Sequence, residues 1–394
     1  MSAQRSAIAR ALALVALTFP TPAFGQGVTV RDLPKPSHEI EEPFTLVTSA
    51  LELRPNQVLA VDGSEMTVSL VDFAKGTVAA FGRQGSGPGE YRVPAGLFRM
   101  RGDTLWLFDA MQQRIVVFNP DLTPGTTFPM LVFDQSTTTA LTAPFASDRM
   151  GRLYASAMKI EAGRQGGQMQ MSIPDSVGLV RVEPRGNAAR TELARLRFPV
   201  SGKPDIQQNG MAFKYTMPYP GLVAADAWAV FPDGRIAIVR GATYTVEFIG
   251  ADGKRSSAKV AYDPIRVTAA DQKAEMDSAR RQMTEQAKSV QKMLPANVSM
   301  DFELLAPATW PSSYPPVSPL GALAAPDGRL WVKRATPARV GREQWDVIDQ
   351  AGKLVARWRL PSRTTLVAVG QGVVYTTRTD EDDLRYLQRV AVGR

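Results

Sequence analysis

The chain has 394 residues, of which 44% are hydrophobic and 21% charged, a balance that suits a globular protein with a large core. It has no cysteine, which excludes disulfides, thiolate zinc sites and a cysteine nucleophile. Its one histidine, His38, excludes a multi-histidine metal site and is the sole candidate base for a serine-type triad. The net charge of +8 comes from singly spaced arginines. We therefore expect a solvated basic surface and no nucleic-acid partner, with attraction to anionic polysaccharide or lipid as the alternative.

The first 25 residues have the pattern of a secretory signal peptide. Arg5 and Arg10 give a positive start, residues 11–19 are an apolar segment too short to span a bilayer, and residues 23–25 place small residues at a cleavage site. We expect cleavage before Gln26, a periplasmic or secreted location, and one domain over residues 26–394. A buried N-terminal helix is the alternative. No other apolar run is long enough to cross a membrane.

Short strands separated by glycine and proline turns fill the rest of the chain. They group in fours, which predicts an all-β fold, a six-bladed β-propeller, with an unrelated β-sandwich as the alternative. Blade by blade, the expected strands are residues 51–53, 57–62, 67–72 and 77–81; 97–100, 104–109, 115–118 and 126–133; 143–147, 152–157, 178–183 and 192–198; 228–231, 235–240, 244–249 and 258–262; 323–325, 329–334, 344–349 and 354–360; and 366–369, 373–377 and 384–392.

A repeated turn supports this grouping. Asp233-Gly234-Arg235 and Asp327-Gly328-Arg329 occupy the same place between the first and second strands of two blades. Glycine allows the positive φ of a tight hairpin, and aspartate caps the neighbouring backbone. Recurrence at this spacing is typical of a radial array.

Residues 81–118 are the best-preserved repeat. They read Phe-Gly, then Gly-x-Gly-x-Gly-Glu-Tyr, Pro-x-Gly-Leu and Asp-x-x-x-x-Arg-Ile-x-Val-Phe. This pattern resembles an NHL repeat, the repeat of one class of six-bladed β-propellers, and the resemblance implies structural roles for Asp109 and Arg114. The glycine-rich loop at 82–90 lacks Gly-Lys-Ser/Thr and precedes a strand, so it is not a phosphate loop. We expect it to make a tight crossing between blades.

The last blade has three strands, and a propeller with an open edge invites pairing with another chain. We therefore expect residues 28–31 to supply the missing strand and close the ring.

One insert, residues 268–294 between blades four and five, predicts an amphipathic helix. It contains neither proline nor glycine, Thr268 and Asp271 resemble a capping box, and Pro295 ends it. The helix either packs over the propeller or acts as a lid or partner-binding element.

All long inserts fall on one face of the predicted propeller. The connection after the second strand and the connection between blades lie on the same side, and the inserts at 158–176, 199–226 and 262–321 occupy such places. The residues that end the second strand of each blade form a charged rim on this face. The rim either orients an anionic or zwitterionic ligand, or its side chains cap local turns and form salt bridges between blades. The rim residues are Asp62, Asp109, Lys159, Arg240, Lys333 with Arg334, and Arg378.

The inserts also carry aromatic residues near prolines. These side chains either stack on a sugar or grip a peptide, or anchor the loops to the blades. The candidates are Phe213, Tyr215, Tyr219, Trp310 and Tyr314.

These features predict an exported binding or scaffold protein that presents its insert-bearing face to a protein, peptide or saccharide. The alternative is a calcium-dependent lactonase or esterase, the activity of some six-bladed propellers, for which Asp62 and Asp109 are the best carboxylate pair. A third possibility is a protein partner held by the helix alone. No cofactor is expected, and no residue is assigned as a metal ligand.

Overall fold

The computed structural model describes residues 28–134, 138–159, 161–165, 168–172, 174–185, 189–199, 205–293 and 297–393. The signal peptide predicted at residues 1–25 lies outside these ranges. Within them, no helix is both long and apolar enough to cross a bilayer.

Six sheets of antiparallel strands, numbered I to VI in chain order, contain most of the described strand residues. Sheet I comprises Val47–Arg54, Gln57–Asp62, Thr67–Asp72 and Thr77–Ala80; sheet II Pro94–Arg99, Leu105–Asp109, Arg114–Phe118 and Pro124–Pro129; sheet III Thr139–Ser147, Leu153–Lys159, Ser176–Val182 and Arg190–Arg197, with Phe133–Asp134 beside its first strand; sheet IV Ala227–Val230, Ile236–Arg240, Thr245–Ile249 and Arg255–Lys259; sheet V Val317–Ala324, Leu330–Arg334, Gln344–Ile348 and Leu354–Arg359, with Val30–Asp32 outside its last; sheet VI Thr364–Val369, Val373–Thr379, Arg385–Ala391 and His38–Glu39.

The remaining elements all belong to connections. They are the strand pairs Arg83–Gln84 with Glu90–Tyr91 and Glu161–Gln165 with Gln168–Ser172, the three-stranded sheet Asp205–Asn209, Ala212–Pro218 and Ser299–Leu305, the 3-10 turns Arg101–Asp103 and Ala338–Val340, and one α-helix, α1, at Ala269–Met293.

The sheets form a closed ring. The first strand of each sheet contacts the first strands of the sheets before and after it, and sheet VI contacts sheet I. One hydrophobic cluster lies between each neighbouring pair, such as Leu59 with Phe118 between I and II, and Val58 with Tyr375 between VI and I. Each sheet therefore buries both faces against its neighbours. This arrangement is a β-propeller, as the strand pattern predicts.

The N-terminal segment closes the ring, but with a different strand from the expected one. His38–Glu39 pairs antiparallel with the last strand of sheet VI, and Ile40, which is 1% exposed, continues the contact. The predicted segment at 28–31 overlaps Val30–Asp32, which instead pairs parallel with Leu354–Arg359 of sheet V. The alternation of Val28 and Val30 suggested a strand correctly, and it could not indicate which sheet edge that strand joins.

Two outer strands also lie a few residues earlier than predicted. The fourth strand of sheet II is Pro124–Pro129, and that of sheet IV is Arg255–Lys259. Both are mostly exposed, so backbone pairing rather than an apolar pattern defines them.

The glycine-rich loop makes the tight crossing expected of it. Gly82 has φ +67°, and a Cβ there would lie 2.8 Å from the carbonyl oxygen of Gly89. The buried Tyr91 hydroxyl donates to the Phe81 carbonyl and accepts from the Val68 N–H, both at 2.9 Å. The loop thus fastens sheet I to the start of sheet II.

Candidate functional site

The six rim positions predicted from the sequence occupy equivalent places around the ring. Each is the last or next-to-last residue of the second strand of its sheet, and each lies beside the start of the first strand of the same sheet. The register pairs Asp62 with Val47, Asp109 with Pro94, Lys159 with Thr139, Arg334 with Val317 and Arg378 with Thr364, and Arg240 follows the pair Val239 with Ala227.

Asp62 and Asp109 are buried and bind backbone rather than each other. Asp62 accepts from the N–H groups of Thr45 and Leu46, the residues that lead into the first strand of sheet I. Asp109 accepts from Arg92 and Val93 in the same way in sheet II, at 3.0 and 3.1 Å. These carboxylates hold the chain where it enters each sheet.

The basic rim positions of sheets IV and VI form ion pairs. Arg240 lies 2.7 Å from both Asp226 and Glu247, and these carboxylates raise its pKa. Arg378 lies 2.7 Å from Glu39, which follows His38 in the closing strand. Lys159 of sheet III is exposed. The rim therefore combines turn caps, inter-strand pairs and exposed charge.

Arg334 differs from these residues because only 6% of its side chain is exposed. Its guanidinium lies 5.3 Å from the ring centre of Tyr244 and 5.5 Å from that of Tyr262. Its Nη1 is 3.6 Å from Asp346, and no acceptor among the described residues is within hydrogen-bond reach of that atom. Asp346 is fully buried and is also held at 2.5 Å by Arg357 and by the Tyr244 hydroxyl.

A polar pocket of about 470 Å³ opens on the insert-bearing face between sheets V and VI. The loop at 335–343 forms one wall, and the start of the first strand of sheet VI forms another. Five hydroxyl residues line it: Ser318, Thr336, Thr364, Thr365 and Thr379. Five charged residues line it as well: Lys333, Arg334, Arg342, Arg363 and Glu343.

The inserts of sheets III to V form a second layer on the same face. Ser299–Leu305 pairs parallel with Ala212–Pro218, and α1 packs against Ser299–Leu305. The predicted aromatic residues lie within this layer: Tyr215 stacks on Phe302 at 5.3 Å, and Tyr219 lies 6.3 Å from Trp310. Their ring contacts are therefore with other parts of the insert.

The start of α1 is fastened to the propeller. Thr268 and Asp271 cap the helix reciprocally, as predicted. Asp271 also pairs with Arg339, which belongs to the 3-10 turn in the pocket loop. That contact is the main reason the pKa of Asp271 is lowered. The sequence could not indicate it, because the two residues lie 68 positions apart.

Glu275 lies one turn further along the helix, where the Tyr219 hydroxyl is 3.5 Å from its carboxylate. Burial, with a smaller contribution from Asp271, raises the pKa of Glu275 above 4.5. Burial, assisted by Glu275, raises the pKa of Tyr219 to about 12. The buried hydroxyl of Tyr314 has no hydrogen-bond partner within the described part of the chain.

We expect Glu275→Gln to stabilise the protein increasingly as the pH rises. A carboxyl whose pKa is raised by folding contributes stability below its unfolded pKa, about 4.5, and that contribution is lost as the pH rises through the folded value. Glutamine keeps the size and the contact with Tyr219 but carries no charge. Melting temperatures of both proteins from acid to neutral pH test this. A constant difference between them would contradict the assignment.

Exposed apolar side chains concentrate on the insert-bearing face. Eleven large hydrophobic residues are exposed in the described part of the chain, and only Met150, in a turn on the opposite face, and Val355, on an outer strand, lie elsewhere. The other nine are Leu46, Met66, Met111, Leu131, Phe133, Met211, Leu305, Val340 and Leu384. They lie in the connections on this face or in the insert layer, and they are distributed around the whole ring.

No group of three or more histidine, aspartate or glutamate side chains in the described ranges is arranged to hold a metal ion. The first strands, which line the centre of the ring, carry one carboxylate, Glu52. Its oxygens accept from the Tyr375 hydroxyl at 2.7 Å and from the Gln371 N–H at 2.9 Å. Glu52 thus joins sheet I to sheet VI.

No protein-family model matches the chain, and no curated protein matches it. Three similar solved structures illustrate what it resembles. Regucalcin, a calcium-binding protein of Agrobacterium tumefaciens, is 11% identical, with 93% of this chain and 98% of that one covered and a TM-score of 0.41. A gluconolactonase of Xanthomonas campestris is 13% identical, with 92% and 96% covered and a TM-score of 0.42. A DUF4221-family protein of Bacteroides vulgatus is 6% identical, with 89% and 94% covered and a TM-score of 0.48.

At these identities a likeness concerns the fold alone. The arrangement of the sheets themselves identifies the chain as a β-propeller.

Proposed function

We propose that the protein is an exported β-propeller that binds another protein on its insert-bearing face. The observation that carries the proposal is the position of the exposed apolar residues, nine of eleven on that face. Scattered single hydrophobic residues are normal on a protein surface, whereas adjacent ones mark an interaction site, and Met66 and Met111 line one pocket together on this face. We also propose a six-bladed, NHL-like single domain at residues 26–394, released by removal of residues 1–25.

The chemistry of this face favours a protein over a saccharide. Three of its nine apolar residues are methionines, whose flexible side chains adapt to varied partner surfaces. Tyr215 stacks on Phe302, Tyr219 lies at a tilt beside Trp310, and Tyr314 is buried, so these rings offer little free surface for a sugar. Exposed cations accompany the apolar residues: Arg92 lines one pocket with Met66 and Met111, and 81% of the Arg83 side chain is exposed. We therefore propose a partner with an acidic periphery.

Position-specific photo-crosslinking tests the proposal in extracts of the native source. A crosslinkable residue placed at Met111, Leu131 or Leu384 is expected to capture one common partner. The matched control is Met150, which is as exposed as Met111 (66% and 64%) but lies on the opposite face. Equal capture from Met150 and Met111 would refute the proposal.

The second candidate is the calcium-dependent lactonase, and a gluconolactonase and the calcium-binding regucalcin are among the structures of similar fold. Under this candidate we propose Asp62 and Asp109 as the carboxylates. Their observed backbone contacts would have to be exchanged for the ion. The test is calorimetric titration with calcium, together with hydrolysis of gluconolactone. Calcium binding that is lost in the double variant Asp62→Asn/Asp109→Asn, while the variant stays folded, would establish this candidate over the first.

A further inference from the structure

The pocket between sheets V and VI has a strong excess of positive charge. Four cationic side chains line it against one carboxylate, that of Glu343. Lys333 lies 2.5 Å from Glu343, so these two charges balance within the pocket. Arg334, Arg342 and Arg363 remain as the excess.

Each of these arginines has a carboxylate nearby outside the lining, which does not remove the excess. Arg334 lies 3.6 Å from the buried Asp346, and Asp346 also pairs with Arg357, so that cluster keeps a net positive charge. Arg342 lies 3.3 Å from Asp32, and Arg363 lies 2.8 Å from Asp383. Asp32 and Asp383 are outside the lining, and 57% and 88% of their side chains are exposed. Exposed pairs of this kind are weak because water screens them.

The lining also indicates the kind of ligand. It is dominated by hydroxyl and cationic groups, and its five hydroxyl residues are accompanied by only a few small apolar ones, such as Pro337 and Ala338. Hydroxyls and guanidinium or ammonium groups together donate hydrogen bonds to oxyanions. A large hydrophobic ligand would find little apolar surface here.

We propose that this pocket binds a small, strongly polar oxyanion, one that carries a carboxylate or a phosphate group. The site is distinct from the apolar residues that carry the proposed protein docking, so either can be correct without the other. Arg363 contacts the ligand, since 51% of its side chain is exposed, and Lys333, which is paired with Glu343, acts on the ligand through its charge. Arg334 lies behind them and contributes its charge from the pocket wall.

Substitutions of Lys333 and Glu343 change the net charge at one point of the pocket in both directions and so form a charge series. Lys333→Gln leaves the Glu343 carboxylate uncompensated, and anion affinity is expected to fall about three- to tenfold. Glu343→Gln frees the Lys333 ammonium, and affinity is expected to rise by about the same factor. The double variant Lys333→Gln/Glu343→Gln restores the wild-type net charge and should bind within about twofold of wild type.

The experiment is calorimetric titration of the full chain at low and high ionic strength with inorganic phosphate, glucuronate and, as the uncharged probe, glucose. Saturable binding of phosphate, glucuronate or both that follows the charge series and weakens with salt supports the proposal. The stronger of the two anions identifies the group. Lys254→Gln, which removes an equal charge from a turn on the opposite face, is the control and should bind like wild type.

Any of three results would overturn the proposal. The first is that neither anion binds, and the second is that glucose binds as well as glucuronate. The third is that Lys254→Gln weakens binding as much as Lys333→Gln. Circular dichroism and melting temperature establish that each variant is folded. If Lys333→Gln does not fold, Arg363→Gln, at an exposed position, replaces it in the series with the same expected direction.

Discussion

Replacing Asp346 with alanine is expected to destabilise the protein by about 3–5 kcal/mol, the usual cost of leaving buried charges unpaired. Asp346 is fully buried in sheet V, and Arg357 and the Tyr244 hydroxyl each lie 2.5 Å from its carboxylate. Arg334 lies 3.6 Å away. Burial and the neighbouring carboxylate raise the pKa of Tyr244, so its hydroxyl remains a donor. The alanine variant leaves two cations and this donor without their common acceptor.

Urea denaturation followed by tryptophan fluorescence measures this loss. Asp349→Ala is the matched control, because Asp349 lies in the turn of the same hairpin and accepts only backbone N–H groups. It should cost about 1 kcal/mol. A loss at Asp346 no larger than the loss at Asp349 would show that the buried cluster does not stabilise the sheet.

Removing residues 28–42 is expected to open the ring and to cost about 3–6 kcal/mol. The segment buries Leu33 and Ile40, which are 7% and 1% exposed, and a buried aliphatic side chain stabilises by about 1.5–3 kcal/mol. It also leaves the last strand of sheet VI without its partner His38–Glu39. We expect the truncated protein to aggregate through that edge.

A shorter truncation distinguishes the two N-terminal strands. Removing residues 28–34 deletes the strand added to sheet V and keeps the strand that closes sheet VI. We expect about 1.5–3 kcal/mol of lost stability from Leu33, and no aggregation. If the two truncations behave alike in denaturation and light scattering, closure through His38–Glu39 is wrong.

Most of the fold could be predicted because each sheet repeats a local pattern. Short apolar runs mark the inner strands, such as the fully buried Leu105–Asp109, and the Asp-Gly-Arg turns mark the hairpins between them. Gly234 and Gly328 adopt φ +86° and +84°, which explains the glycine in each copy. The helix was predictable for the same reason, since its cap, composition and end are all local: the expected range 268–294 compares with Ala269–Met293.

The closing strand could not be predicted, because a short edge strand depends on backbone pairing. His38–Glu39 consists of two exposed polar residues, and nothing in their side chains distinguishes a strand from a loop. Val30–Asp32 has the stronger pattern and joins another sheet. Both pairings connect residues more than 300 positions apart, so only the assembled ring reveals them.

The face that carries the rim residues and the inserts was predictable from the sequence, and the contacts of the rim residues were less so. The position of each strand within its four-stranded repeat places the inserts and the rim on one face, and the structure has them on that face. The partners of the rim residues come from distant parts of the chain, as Glu39 does for Arg378. The exposed apolar residues gave no signal, because Met111 and Met150 look alike in sequence and only the fold assigns them to opposite faces.

The most direct test of protein docking on the insert-bearing face is the affinity of the crosslinked partner for two matched variants. We predict that Met111→Asp weakens binding at least about tenfold, because it places a charge in an apolar interface beside an acidic partner. Met150→Asp, an equally exposed change on the opposite face, should bind within about twofold of wild type. Equal affinity of the two variants for the partner would contradict the account.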